Sequence, residues 1–164
     1  MTYLITFSCY GCHLHGDERG SVDPQHNVYR TRIIETDQKR FAKESADLSQ
    51  PPYYLATPQR DVVLKAIVQA CTHHDWWLFA AHVRSTHVHV VVESERDPEF
   101  VMNALKARAS RLLNESGLEP HGRKRWARHG STRCLWNDES VNAAVMYVLD
   151  EQGERMAVYE ESSR

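Results

Sequence analysis

No stretch of this 164-residue chain approaches the ~18 consecutive apolar residues that a membrane-spanning helix requires, so no such span is expected. The opening Met1–Phe7 carries no basic region ahead of an apolar core and reads as a strand, not as a signal peptide. The four cysteines, Cys9, Cys12, Cys71 and Cys134, are too few and too scattered for a secreted disulfide scaffold. Together these absences lead to the expectation of a cytoplasmic protein. There is no internal repeat and no low-complexity tract. A net charge of −2 offers no overall attraction to nucleic acid. The hydrophobic content of 41% and charged content of 26% are those of a globular protein. The length suits one domain with a real core. We place that domain at residues 1–153, with a long loop excursion at 11–52 and an acidic surface tail at 154–164.

What is present is most telling at Thr86-His87-Val88-His89-Val90-Val91-Val92-Glu93. Side chains of a strand alternate between faces. His87 and His89 therefore share one face, and Val88, Val90 and Val92 point the other way into a core. Residues two apart on one face lie about 7 Å apart at the Cβ atoms, so two imidazoles there can converge on one divalent cation. Ten histidines make a chance H-x-H easy, and His13 and His15 form a second one. The valine run is what separates the two pairs, because it establishes the strand and hence the shared face. Cys9 and Cys12 with His13 and His15 are a weaker candidate for zinc, since a structural site needs a second paired ligand set and Cys71 and Cys134 are singletons.

The pattern predicts strands at Tyr3–Tyr10, Trp76–Val83 and Ser85–Glu93, with a short fourth at Thr132–Trp136. Thr57-Pro58 reads as an N-cap followed by a first-turn proline. Val62, Val63, Ala66, Ile67 and Ala70 then carry a helix to about Thr72. Asp97-Pro98 starts the next helix, whose apolar stripe is Phe100, Val101, Leu105, Ala109, Leu112 and Leu113 and which ends at Gly117. A short helix is expected within the excursion at Asp37–Ala46. The last helix, Glu139–Gln152, is capped by Asn137 or Asp138 and closed by Gly153. This order predicts an α+β, ferredoxin-like antiparallel sheet (the RRM-like or palm-like arrangement) with helices on one face. The histidine-bearing face is then left for a ligand.

Charge is unevenly spread. Lys106, Arg108, Arg111, Arg123, Lys124, Arg125, Arg128 and Arg133 crowd a segment holding only two carboxylates, Glu115 and Glu119, with Trp126 and Trp136 in or beside it. Local positive charge with aromatics is the footprint of a nucleic-acid surface, and equally of a solvated basic face. The segment Glu119–Arg133 reads as a basic loop.

An H-x-H strand, a basic helix with Lys106, and a late helix holding Tyr147 and ending Glu151-Gln152-Gly153 resemble the HUH-superfamily single-tyrosine transposases. The chain looks most like the insertion-sequence 200-like, REP-associated tyrosine transposase branch. The opening strand with Leu14-His15-Gly16, Gln59-Arg60, the Ala80–Glu93 hairpin, Ser110-Arg111-Leu112-Leu113-Asn114 and Leu135-Trp136 extend the resemblance over nearly the whole chain.

The resemblance implies an HUH endonuclease fold and a dimer that nicks and rejoins single-stranded, hairpin-forming DNA through a covalent 5′-phosphotyrosine. It implies Tyr147 as nucleophile and a Mg²⁺ or Mn²⁺ ion on His87, His89 and a polar residue near the tyrosine. On a regular helix Glu151 lies ~40° from Tyr147 and Gln152 ~140°, which favours Glu151; the Glu-Gln-Gly ending favours Gln152. Lys106 is a candidate for neutralising the phosphate. Arg108, Arg111, Arg123, Lys124, Arg125, Arg128 and Trp126 are candidates for holding DNA. The alternatives are a non-catalytic RRM-like nucleic-acid-binding module and a domesticated, inactive transposase.

Overall fold

A computed structural model describes residues 1–12, 42–43 and 45–162. The elements run β1 (Thr2–Cys9), α1 (Thr57–His73), β2 (Trp77–Val83), β3 (His87–Glu93), α2 (Pro98–Ser116), β4 (Trp126–Leu135), α3 (Asp138–Asp150) and β5 (Ala157–Glu160). The strands form one antiparallel sheet in the order β4-β1-β3-β2-β5. The first four strands with α1 and α2 are the expected ferredoxin-like arrangement. The excursion helix expected at Asp37–Ala46 lies mostly outside the described residues, of which 42–43 and 45–46 are helical.

The alternation of β3 builds the core. Val88, Val90 and Val92 are fully buried on the face covered by α1 and α2, with Ile5 and Phe7 of β1 and Val63, Ile67, Leu105 and Leu113 of the helices. Each buried valine contributes on the order of 1.5–3 kcal/mol of apolar transfer. The opposite face carries a smaller cluster, in which Ala144, Val148 and Leu149 of α3 pack on Leu4, Ala80, Val91 and Leu135. The two crossover helices thus share one face, and α3 lies across the other, on the side of His89.

Several expectations change. The N-cap of α1 is Ala56 and makes no side-chain cap bond. Thr57 is already helical, and its Oγ1 accepts from Arg60 Nη2 at 2.8 Å instead of from a backbone N–H. Asp97 does cap α2, accepting from Glu99 N–H at 2.9 Å, and Gly117 closes it in the left-handed conformation at φ 67°. Phe100 is not in the core stripe; it is exposed, with Arg96 over its ring and Trp76 at its edge. Asn137 and Ser140 form a reciprocal capping box on α3. The basic loop expected at Glu119–Arg133 is in large part the ten-residue strand β4. The acidic tail expected at 154–164 contains β5, which pairs with β2. Both are edge strands, where charged side chains are tolerated because one side faces water. Among the described residues, no helix is long and apolar enough to cross a membrane.

Candidate active site

The sheet register sets a polar row across the centre of the α3 face. Thr6 of β1 stands opposite His89 of β3, and His89 opposite His82 of β2. His89 is 4% exposed. Its Nδ1 is hydrogen-bonded to Thr6 Oγ1 at 2.8 Å, while its Nε2 is buried with no hydrogen-bond partner among the described residues. Burial, then the neighbouring His87, lower its pKa to about 3, so the imidazole is neutral near pH 7. In the tautomer donating Nδ1–H to Thr6, Nε2 presents a bare lone pair, the state of a metal-ligating histidine. His87 lies edge-on to it with ring centroids 4.8 Å apart, and Thr86 Oγ1 is hydrogen-bonded to His87 Nδ1 at 3.0 Å.

Tyr147 closes the group from above. Its ring meets His89 edge-on at 5.7 Å between centroids, and it remains 38% exposed. The end of α3 places Glu151 and Gln152 differently. The helix stops at Asp150, Glu151 is the exposed C-cap, and Gly153 turns the chain at φ 80°. Beyond the helical spiral, Gln152 folds back. Its Nε2 donates to Tyr147 O at 3.2 Å, and its side chain lies close enough to His89 to offset part of the pKa depression. Gln152, not Glu151, therefore lies beside His89.

Among the described residues no three His, Cys, Asp or Glu side chains converge; this group is two imidazoles and an amide. That set suits a divalent cation in which water and phosphate oxygens complete the shell, and the unpartnered buried Nε2 of His89 is the direct sign of fit.

Residues 53–143, over half the chain, match the family described as transposase, IS200 like. The chain belongs to this family. The matched range includes His87 and His89 and stops short of Tyr147 and Gln152. A search of curated proteins finds no match. Among solved structures, a REP-associated tyrosine transposase bound to a REP hairpin superposes with a TM-score of 0.52 at 13% identity, covering 92% of this chain and 65% of that one. The chain thus spans just under two thirds of that relative and shares its fold. A candidate transposase from Deinococcus radiodurans R1 gives a TM-score of 0.47 at 14% identity, over 93% of this chain and 90% of that one.

Other expected site residues of this IS200-like transposase lie elsewhere. Lys106 is 7% exposed on the α1/α2 face, opposite the histidines. Its Nζ donates to Ala127 O at 3.0 Å and His129 O at 3.4 Å and sits over the Phe7 ring; it ties α2 to β4. Burial lowers its pKa. Arg125 is buried against Glu119, which also accepts from Tyr53 Oη, and donates to Asn114 Oδ1 at 2.9 Å. Trp126 stacks edge-on to Phe7 at 5.2 Å and donates its indole N–H to Ser110 Oγ. Arg108 donates to Gln69 Oε1, joining α2 to α1. These four are turned inward by packing that a charge count cannot register.

Arg123 and Lys124 are partly committed to the 49–51 segment, Arg123 through Gln50 Oε1 and Pro51 O and Lys124 through Ser49 Oγ. Arg111 and Arg128 are exposed. Cys9 and Cys12 are buried thiols that donate to Ser85 O and Tyr53 O; their proposed zinc partners His13 and His15 lie outside the described residues.

Removing Arg125 leaves Glu119 as a half-buried uncompensated charge. Arg125→Ala is expected to cost about 3–5 kcal/mol of unfolding free energy, measured by urea denaturation. A loss under ~1 kcal/mol, the surface-pair scale, would contradict the inward placement.

His82 and Arg84 were not singled out from sequence. His82 is fully buried, and the signal was available: a two-strand hairpin turning at Arg84–Thr86 sets His82 opposite His89. Thr6 needed the long-range β1–β3 pairing and had no local signal.

Proposed function

We propose that this IS200-like transposase is a divalent-metal-dependent single-strand DNA endonuclease and strand transferase that works through a covalent 5′-phosphotyrosine at Tyr147. The observation that carries this is the buried, unpartnered Nε2 of His89, flanked by His87 and Gln152 and faced by the only tyrosine on α3. His87, His89 and Gln152 would hold a Mg²⁺ or Mn²⁺ ion, which when bound would offset the negative charge that builds on a phosphodiester under attack. Tyr147, half-open to solvent above that point, is placed to admit an extended backbone phosphate. Its hydroxyl oxygen attacks phosphorus; the O–P bond forms as the P–O3′ bond breaks, and the phenolic proton ends on the departing 3′-oxygen. Attack by that 3′-hydroxyl on the phosphotyrosine reverses the step with no external energy, because one phosphodiester replaces another.

Single-stranded, hairpin-forming DNA is the proposed substrate, in keeping with the REP hairpin held by the solved relative, and a homodimer the proposed working assembly. An RRM-like module would need an open sheet face with aromatics for stacking bases; here Val148, Leu149 and Ala144 of α3 pack over Leu4, Ala80 and Val91 of that face, which favours the enzyme.

Incubation with 3′-end-labelled hairpin DNA and Mn²⁺ should leave label attached to protein on a denaturing gel, and chelation should abolish it. Nicked DNA without attached protein, or cleavage indifferent to chelator, would overturn the proposal. Exposed Lys124 and Arg128 are expected to contact phosphates. Charge reversal at either should lower the slope of log affinity against log salt by about 0.7 per lost contact; unchanged slopes would assign both to ordinary solvated surface.

A further inference from the structure

The last carbonyls of a helix have no partner within it. At the end of α3 one of these, Val148 O, is taken by His82, whose Nδ1 donates at 2.9 Å, while Tyr147 O accepts Gln152 Nε2 as well as the Glu151 N–H. The second nitrogen of His82 is also used. Nε2 accepts from Met156 N–H at 3.0 Å, on the far side of the Gly153 turn. The two partners, a carbonyl and an N–H, select one neutral tautomer, and burial lowers the pKa of the ring in the same sense. An imidazole with no exposed surface near the end of an apolar strand is a poor packing choice; a leucine would fill the space without polar groups to satisfy. Its two bonds are what it adds.

Arg84 acts on the same turn. Its backbone N–H donates to His87 O at 2.9 Å, and its Nη1 donates to Glu154 O at 2.8 Å and approaches His82 Nε2 at 3.5 Å. One residue therefore joins the start of the histidine strand to the segment just beyond Gln152.

We propose that His82 and Arg84 are positioning residues that clamp the 151–156 turn, holding Gln152 against His89 and Tyr147 above it; this rests on the metal site proposed above. Residues 148 and 156 are fastened to His82 of β2 and residue 154 to Arg84 just after it, and Gln152 lies between the fastened points. Without the clamp the turn keeps, among the described residues, β5 and its bonds to α3 from Gln152 to Tyr147 O and from Arg155 to Asp150, and Gln152 samples positions away from His89.

The test uses the full chain in two arms. In the first, Mn²⁺ affinity is measured by calorimetry for wild type, Arg84→Ala, Arg84→Lys, Gln152→Ala and the Arg84→Ala/Gln152→Ala double variant. Arg84→Ala is expected to weaken Mn²⁺ about tenfold, the lower end for residues that orient a ligand. Arg84→Lys, which still donates to Glu154 O, should recover part of it. In the Gln152→Ala background Arg84→Ala should have no further effect. Equal losses in both backgrounds would show that Arg84 does not act through Gln152 and would overturn the proposal.

In the second arm, amide exchange without metal should quicken at least tenfold at Met156 in Arg84→Ala and in His82→Leu, with Val90 and Val91 of β3 unchanged. A Met156 amide as protected as in wild type, in either variant that folds, would equally overturn the clamp. Wild type that binds no Mn²⁺ overturns the metal site instead, and the exchange arm then decides the clamp by itself.

Discussion

Tyr147→Phe is expected to abolish the covalent DNA adduct while leaving DNA and Mn²⁺ binding intact. The substitution removes one oxygen and keeps the ring, which touches His89 edge-on and is 38% exposed. No hydrogen bond from its hydroxyl stabilises the described fold, so stability should change by less than about 1 kcal/mol, the scale of one such bond. The chemistry has no substitute: the other six tyrosines (Tyr3, Tyr10, Tyr29, Tyr53, Tyr54 and Tyr159) lie outside α3. Tyr53, for one, is committed to Glu119. Adduct yield on a denaturing gel, with binding followed separately by anisotropy, checks this. A phenylalanine variant that still forms adduct would move the nucleophile elsewhere.

The second large effect belongs to the histidines. His87→Ala and His89→Ala should each weaken Mn²⁺ by at least about 100-fold, beyond the 10–100-fold typical of residues that merely support ligands, and abolish cleavage. The two differ in stability. His87 is half-buried, and its loss should be nearly neutral. His89 is buried and bonded to Thr6, so His89→Ala opens a small cavity and strands a hydroxyl, costing about 1–3 kcal/mol. Calorimetry paired with urea denaturation separates the two losses. Unchanged Mn²⁺ affinity in the double variant would remove the metal site from these residues.

Much of the site is legible because it is local. The valine run makes β3 a strand, the strand puts His87 and His89 on one face, and the late helix with Tyr147 stands out by its Asn137 cap and Gly153 stop. The choice between Glu151 and Gln152 was not local. Helical angles favour Glu151, but they apply only while the helix lasts, and it ends at Asp150. The basic run misleads for a related reason. Lys106, Arg108, Arg125 and Trp126 carry long side chains that reach inward to carbonyls, Gln69, Glu119 and Ser110, and a count of charges does not say which way each one points. The first part of β4, ahead of the strand expected at Thr132–Trp136, and the whole of β5 are not legible because edge strands tolerate arginine and glutamate. Their strand character comes from the backbone of β1 and β2 beside them.

The central claim is that Tyr147 becomes covalently joined to a 5′-phosphate beside the His87/His89 pair. Protein trapped with single-stranded hairpin DNA and Mn²⁺, then digested with nuclease and protease and mapped by tandem mass spectrometry, tests it most directly. The expected result is a nucleotide-phosphate mass on the α3 peptide with fragment ions placing it on Tyr147, and none in the presence of chelator. The same mass on another tyrosine, or no modified peptide from a sample in which the DNA has been cut, would contradict it.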